Sequence, residues 1–252
     1  MRLRRLADNW DALGRLDPYW AILADPSKHG GGWSSEEFFE TGRDHVTRFL
    51  ELAEVEGRRT ARRRGLDFGC GVGRLTLALA EHVDEVIGVD AAASMVQLAR
   101  SHASTHPFGS RVRYRVNVAE DLAFVPSASM DVVLSVVVLQ HVSNRLKTSY
   151  LREFVRVLDP DGVAVFTVPH GATASREGLL RRILPNAVLN VARRRLYGYR
   201  AVMEFHVMSR RRVEAVIRDA GGVVLAVHRD ELAGPPWISW TYVVAPSIGG
   251  DR

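Results

Sequence analysis

The chain has 252 residues, 46% hydrophobic and 25% charged, with the single cysteine Cys70; disorder, an intramolecular disulfide and a cysteine-rich zinc site are excluded. The net charge of +5 is almost wholly arginine, Lys28 and Lys147 being the only lysines, and no zinc-finger, basic-zipper or RNA-binding signature accompanies it. No run approaches the ~20 apolar residues of a membrane span, and the opening MRLRRLADNW lacks the apolar centre of a secretory signal, so a cytoplasmic protein without nucleic-acid or membrane partners is expected.

The first sixty residues carry no strand pattern. Ser34-Ser35 followed by Glu36-Glu37 signals a helix start, and Phe38, Phe39, Val46, Phe49 and Leu50 then recur at helical spacing. From Arg64 the pattern alternates. GLDFGCG reads as a short strand ending in glycines, Leu75–His82 as a helix, Glu85–Asp90 as a strand, Ser94–His102 as a helix and Arg111–Val118 as a strand. Met130–Leu139 (MDVVLSVVVL) is apolar on both faces, as a buried strand is. Asn144–Leu158 predicts a helix, Asp159-Pro160-Asp161-Gly162 a turn, and Gly162–Pro169 a strand. Such alternation predicts an α/β fold with a parallel, doubly wound sheet. Between His170 and His206 the regularity breaks in a basic, partly amphipathic stretch that contains Pro185. Ser209–Ala220 predicts a helix, and Val223–His228 and Ser239–Ala245 predict strands. Their connection is too short for a helical crossover, so these two should pair antiparallel.

The most informative segment is Leu66-Asp67-Phe68-Gly69-Cys70-Gly71-Val72-Gly73-Arg74, a glycine-rich turn between strand and helix. Its third glycine comes one residue too early for a dinucleotide fingerprint, and a carboxylate stands two residues before the first glycine. A pyrophosphate would be repelled there, whereas an amino group would be attracted. With Val89-Asp90, the run from Asn117 to Leu122, the strand DVVLSVVVLQHV and FVRVLDPDGVAVFTVP, in that order, the sequence from Arg64 to Ala245 resembles the class I S-adenosylmethionine-dependent methyltransferases.

The resemblance implies a Rossmann-like sheet of seven strands in the order 3-2-1-4-5-7-6, with strand 7 antiparallel. It implies one domain: an N-terminal helical lid (1–60), a cofactor-binding core (61–169), an acceptor-side insertion (170–208) and a C-terminal helix with a strand hairpin (209–252). It also assigns roles. Gly69, Cys70, Gly71 and Gly73 border the amino-acid part of S-adenosylmethionine, and Asp67 lies near its ammonium. Asp90 accepts from both ribose hydroxyls, and Ala91 and Met95 pack on the adenine. Ala119 and Glu120 meet the adenine edge, with Val118 standing where the family commonly has Asp. Ser135 and Val136 place carbonyls near the sulfonium. Arg74 is expected only to cap or solvate its helix.

A hydroxyl acceptor must lose its proton during transfer, which suits a histidine near neutral pH. His141, directly after the strand Met130–Leu139, is the first candidate; His206, with Glu204 beside it, and His170 are rivals, and the other histidines read as surface residues. No cluster has metal-ligand spacing, which leaves open a divalent metal held by residues distant in the chain. Tryptophans near both ends, which can stack on sugar faces, tilt the expected acceptor toward a saccharide. The expectation is therefore O-methylation of a small molecule, by a monomer or homodimer. The alternatives are N- or C-methylation of a natural product, RNA or protein, and a nonenzymatic partner protein that retains the fold. The basic insertion could also meet a membrane or a lipid-linked acceptor through Leu179, Leu180, Ile183 and Leu184.

Overall fold

The computed structural model describes residues 3–58, 63–175 and 203–247. Leu179, Leu180, Ile183 and Leu184, named above as a membrane contact, lie outside these ranges.

Seven strands form one sheet: β1 (Arg64–Phe68), β2 (Glu85–Asp90), β3 (Val112–Val116), β4 (Met130–Ser135), β5 (Leu158–Ala172), β6 (Gly222–Asp230) and β7 (Trp237–Pro246). Their order is β3-β2-β1-β4-β5-β7-β6, as the resemblance implied. The first five are parallel, and β7 runs antiparallel to both β5 and β6. The apolar runs of β1 and β4 are buried on both faces. That is what a central parallel strand covered by helices requires.

One face is covered by α6 (Asn144–Val157) and α7 (Arg210–Asp219). Phe68, Phe154, Phe166 and Tyr242 pack there in one apolar cluster. The other face is covered by α3 (Ser35–Val55) and α4 (Arg74–Leu79), with Val46, Phe49, Leu75 and Leu79 against Val132, Leu134 and Val165. The helix start read at Ser34 is real. The Ser34 hydroxyl accepts from the Glu37 N–H, and the Glu37 carboxylate accepts from the Ser34 N–H, a reciprocal cap. The helix α5 (Ala93–Thr105) follows β2. Two helices precede the region of clear patterning: α1 (Leu3–Leu16) and the short α2 (Pro18–Ile22). They pack on α5 and α3 through Leu13, Ala21, Phe38 and Met95.

Two predicted strands differ most from their observed lengths. β4 stops at Ser135, although the apolar run continues to Leu139. The cause is Val137, whose φ of +62° turns the chain out of the sheet and into a 3-10 turn over Leu139–His141. A β-branched residue in the left-handed region is strained; here its N–H is held by the Thr167 hydroxyl at 2.9 Å. β5 begins earlier than predicted. Leu158 already pairs with Met130, and the expected turn Asp159–Gly162 is an irregularity inside the strand.

Candidate active site

A cleft opens beyond the carboxyl ends of β1, β2 and β4, where ligands of open α/β sheets bind. Its floor is the turn after β1. Gly69 has φ +79°, and a Cβ there would lie 2.2 Å from the Val138 side chain, so only glycine fits. The N–H groups of Gly69 and Cys70 both donate to the Val89 carbonyl, tying this turn to β2. Gly69 and Gly71 line the cleft. Cys70 is buried away from it, and burial pushes its thiol well above the usual range. Gly73 also faces away, against the Tyr114 hydroxyl.

Asp90, Ala91 and Met95 form one wall. The Asp90 carboxylate accepts from the Gly71 N–H at 2.9 Å and from the Ala92 N–H at 2.8 Å. Burial pushes its pKa up, against those two donors. Asp67 sits behind the turn, 1% exposed. Its Oδ2 accepts from the Thr76 hydroxyl at 2.6 Å, while Oδ1 has no hydrogen-bond partner among the described residues. Burial pushes Asp67 up to about 6.

Three further expected contacts do not line the cleft. Glu120 does not line the cleft: its carboxylate is ion-paired with Arg145 on the outer surface. Ala119 is turned away too, its carbonyl accepting from the Tyr150 hydroxyl at 2.6 Å. The polar side chain that reaches the cleft from this segment is Asn117. Of the pair Ser135 and Val136, Ser135 is fully buried in the sheet, while Val136 forms the second wall with Val137 and Val138. The strained turn at Val137 is what brings this backbone to the cleft. Arg74 is not solvated but 3% exposed. It donates from Nη1 to the Thr41 hydroxyl at 3.0 Å and to Nδ1 of His45 at 2.9 Å.

His141 lies at the end of the second wall. Its Nδ1 is 2.9 Å from the Glu204 carbonyl oxygen, which can only accept, so Nδ1 carries the proton and Nε2 the lone pair. The Gln140 side-chain nitrogen lies 3.3 Å from that Nε2. Trp10 packs edge-on against the imidazole, with ring centroids 4.9 Å apart. His206 pairs through Nε2 with the Glu204 carboxylate at 3.0 Å, in the segment beside His141. His170 is exposed and accepts from the Arg210 N–H at the start of α7. Phe205 stacks on Trp237 at 4.0 Å and meets the far edge of His141.

The helical lid expected over 1–60 was not resolved into lining residues by the sequence. Leu3, Leu6 and Trp10 of α1, with Ile22 of α2, close over the cleft. Their spacing of three and four residues is helical, and that pattern was the available signal. Among the described residues, no group of three His, Cys, Asp or Glu side chains could hold a metal ion. No described helix is long and apolar enough to cross a membrane.

Comparison with known proteins agrees with this geometry. Residues 66–166 match the family described as a methyltransferase domain. The chain is 35% identical over 136 residues to the uncharacterized methyltransferase YcgJ of Bacillus subtilis, covering 54% of this chain and 50% of that protein. It is 32% identical over 156 residues to the ubiquinone biosynthesis O-methyltransferase of Azorhizobium caulinodans, covering 62% and 55%. The match thus spans only about half the length of these relatives. Among solved structures, magnesium protoporphyrin IX methyltransferase of Synechocystis with bound S-adenosylhomocysteine superposes with a TM-score of 0.62 at 17% identity, over 96% of this chain and 98% of that one. Residues 66–166 therefore match a methyltransferase domain, and the chain shares its fold with solved methyltransferases.

Proposed function

We propose that the protein transfers the methyl group of S-adenosylmethionine to a hydroxyl of a small, largely apolar acceptor, with His141 as general base. Bound S-adenosylmethionine would supply an electrophilic methyl on a positively charged sulfur. The residues present suit it. The unpartnered Oδ1 of Asp67 suits an ammonium group, directly or through water. The Asp90 carboxylate keeps lone pairs beyond the two that meet backbone N–H groups, and these suit a pair of hydroxyls. The floor presents the backbone of Gly69 and Gly71 to the cleft.

The observation that carries the reading is the His141 tautomer. The proton on Nδ1 is committed to the Glu204 carbonyl, which leaves Nε2 to accept. The acceptor hydroxyl takes the place of the Gln140 amide as donor to Nε2 and passes its proton there as it attacks. The roof of α1 and α2 excludes water. His206 is the weaker candidate, because it does not line the cleft.

The lining argues for an apolar acceptor. Asp90 and Asn117 belong to the cofactor half, and the Tyr150 hydroxyl is committed to the Ala119 carbonyl. Among the described residues, what remains is Leu3, Leu6, Trp10, Val138, Val142 and the polar side chain of His141. A saccharide buried there would leave several hydroxyls without partners, each at a cost of about 1–3 kcal/mol. A phenol-like acceptor with one reacting hydroxyl is favoured over the saccharide expected from the tryptophans. The kinship with ubiquinone biosynthesis O-methyltransferases supports the same class.

The test is transfer of radiolabelled methyl to pools of phenols, saccharides and amines. Label should pass to phenols. His141→Ala should lower turnover by about 10²–10⁴ and abolish the rise in rate through the imidazole pH range. S-adenosylhomocysteine affinity should stay constant. Full turnover with an unchanged pH limb rejects His141, and collapse in His206→Ala moves the role there.

A further inference from the structure

Lys147 is one of two lysines among 34 basic residues, and its side chain is completely buried. A buried ammonium is destabilising unless it is paired. Among the described residues no carboxylate pairs with it, and burial alone pushes its pKa down to about 7. Its Nζ makes one hydrogen bond, 2.9 Å to the His206 carbonyl.

That carbonyl belongs to the strap Met203–Met208, which has no regular secondary structure. Four hydrogen bonds lay the strap against the 3-10 turn, α6 and β5. His141 Nδ1 donates to the Glu204 carbonyl at 2.9 Å, and the His206 N–H to the Gln140 carbonyl at 2.7 Å. Lys147 Nζ donates to the His206 carbonyl, and the Met208 N–H to the Pro169 carbonyl at 3.0 Å. The two middle bonds fix the main chain on both sides of His206, two residues from the carbonyl that His141 uses. Without Lys147, the His206 carbonyl would be left without its donor. An arginine would be bulkier and could not shed its charge.

We propose that Lys147 is a positioning residue. By holding the His206 carbonyl it sets the strap so that the Glu204 carbonyl faces His141 Nδ1, and thereby selects the ring tautomer with the lone pair on Nε2. The catalytic meaning of this rests on His141 being the base; the placement of the proton does not.

The experiment needs no acceptor. The protein is labelled with ¹⁵N-histidine, and the His141 signals are identified by their loss in His141→Ala. The tautomer is read at about pH 8, above the range in which an ordinary imidazole titrates. Wild type should be protonated on Nδ1. In Lys147→Met, a neutral side chain of similar length, His141 should shift to a mixture of tautomers. The His206 amide should exchange about tenfold faster. S-adenosylhomocysteine affinity, measured by calorimetry, should change less than about twofold. Lys147→Leu replaces the Met variant if that fails to fold. A wild-type His141 protonated on Nε2 overturns the proposal, and so does an unchanged tautomer in a folded variant. Methyl transfer retained in His141→Ala would remove the base assignment and leave the tautomer result standing.

Discussion

The two oxygens of Asp67 are treated differently: Oδ2 takes the Thr76 hydroxyl, and Oδ1 is buried with no described partner. Burial raises its pKa from 3.8 to about 6, so below about pH 6 the empty site holds the neutral acid. Affinity for S-adenosylhomocysteine should be full above pH 6 and fall by up to about tenfold per unit below it. Calorimetry across that range tests this, and Asp67→Asn should flatten the slope; a pH-independent wild type would contradict it. The carboxylates and the glycine turn were legible because their chemistry is bound to a short, local spacing. Glu120 was misread for the same reason: the motif placed it within three residues of Asn117, and only the fold decides which of them faces inward. The partner of His141 was illegible, since a main-chain carbonyl at Glu204 has no residue-type signature.

At the scale of elements, the body of α1 meets the start of α5. The N-cap of α5 is Ala92, which has no side-chain acceptor. Asp11 of α1 supplies one from outside, taking the Ser94 N–H at 2.7 Å, and the Ser94 hydroxyl donates back to the Asp11 carbonyl at 2.9 Å. A carboxylate there satisfies an orphan donor and the positive end of the helix. Gly14 permits the approach, since a Cβ would lie 2.6 Å from the Ser94 hydroxyl. The helix that roofs the cleft is thus tied to the helix that carries Met95. Asp11→Ala should lose a capping interaction of about 1 kcal/mol and speed release of S-adenosylhomocysteine about fivefold. Stopped-flow tryptophan fluorescence reads that rate, and an unchanged rate would mean that the roof does not gate release. The strands were largely legible from their two-sided apolar runs. The end of β4 was not, because nothing in a run of valines announces a left-handed residue.

Across the whole molecule, α3 meets the glycine turn through Arg74 and His45. His45 was expected on the surface. Instead, burial first and the Arg74 charge second lower its pKa from 6.5 to about 4. The unfolded chain therefore binds this proton first. The stability owed to neutral His45 is complete above pH 6.5 and is lost as pH falls toward 4. Asp67 acts oppositely: its ionised form opposes folding above pH 6, and that penalty fades as pH falls toward 3.8. His45→Asn keeps an acceptor for Arg74 and removes only the first effect. Its melting temperature should lie below wild type at neutral pH, with the gap closing as the solution is acidified. A gap that does not change with pH would refute the assignment.

The direction of β7 also matters to anyone joining this chain to another. β7 carries the backbone from Trp237, paired with Ala172 at the cleft end of the sheet, to Pro246 at the far end. There the Ser247 N–H bonds to the Gly221 carbonyl. Leu3, by contrast, lines the cleft. A polypeptide attached ahead of Leu3 emerges beside the cleft and competes with whatever must enter. One attached after Ser247 leaves from the opposite edge. Affinity handles belong at that second point, and so does any immobilisation surface that must leave the cleft open to solution.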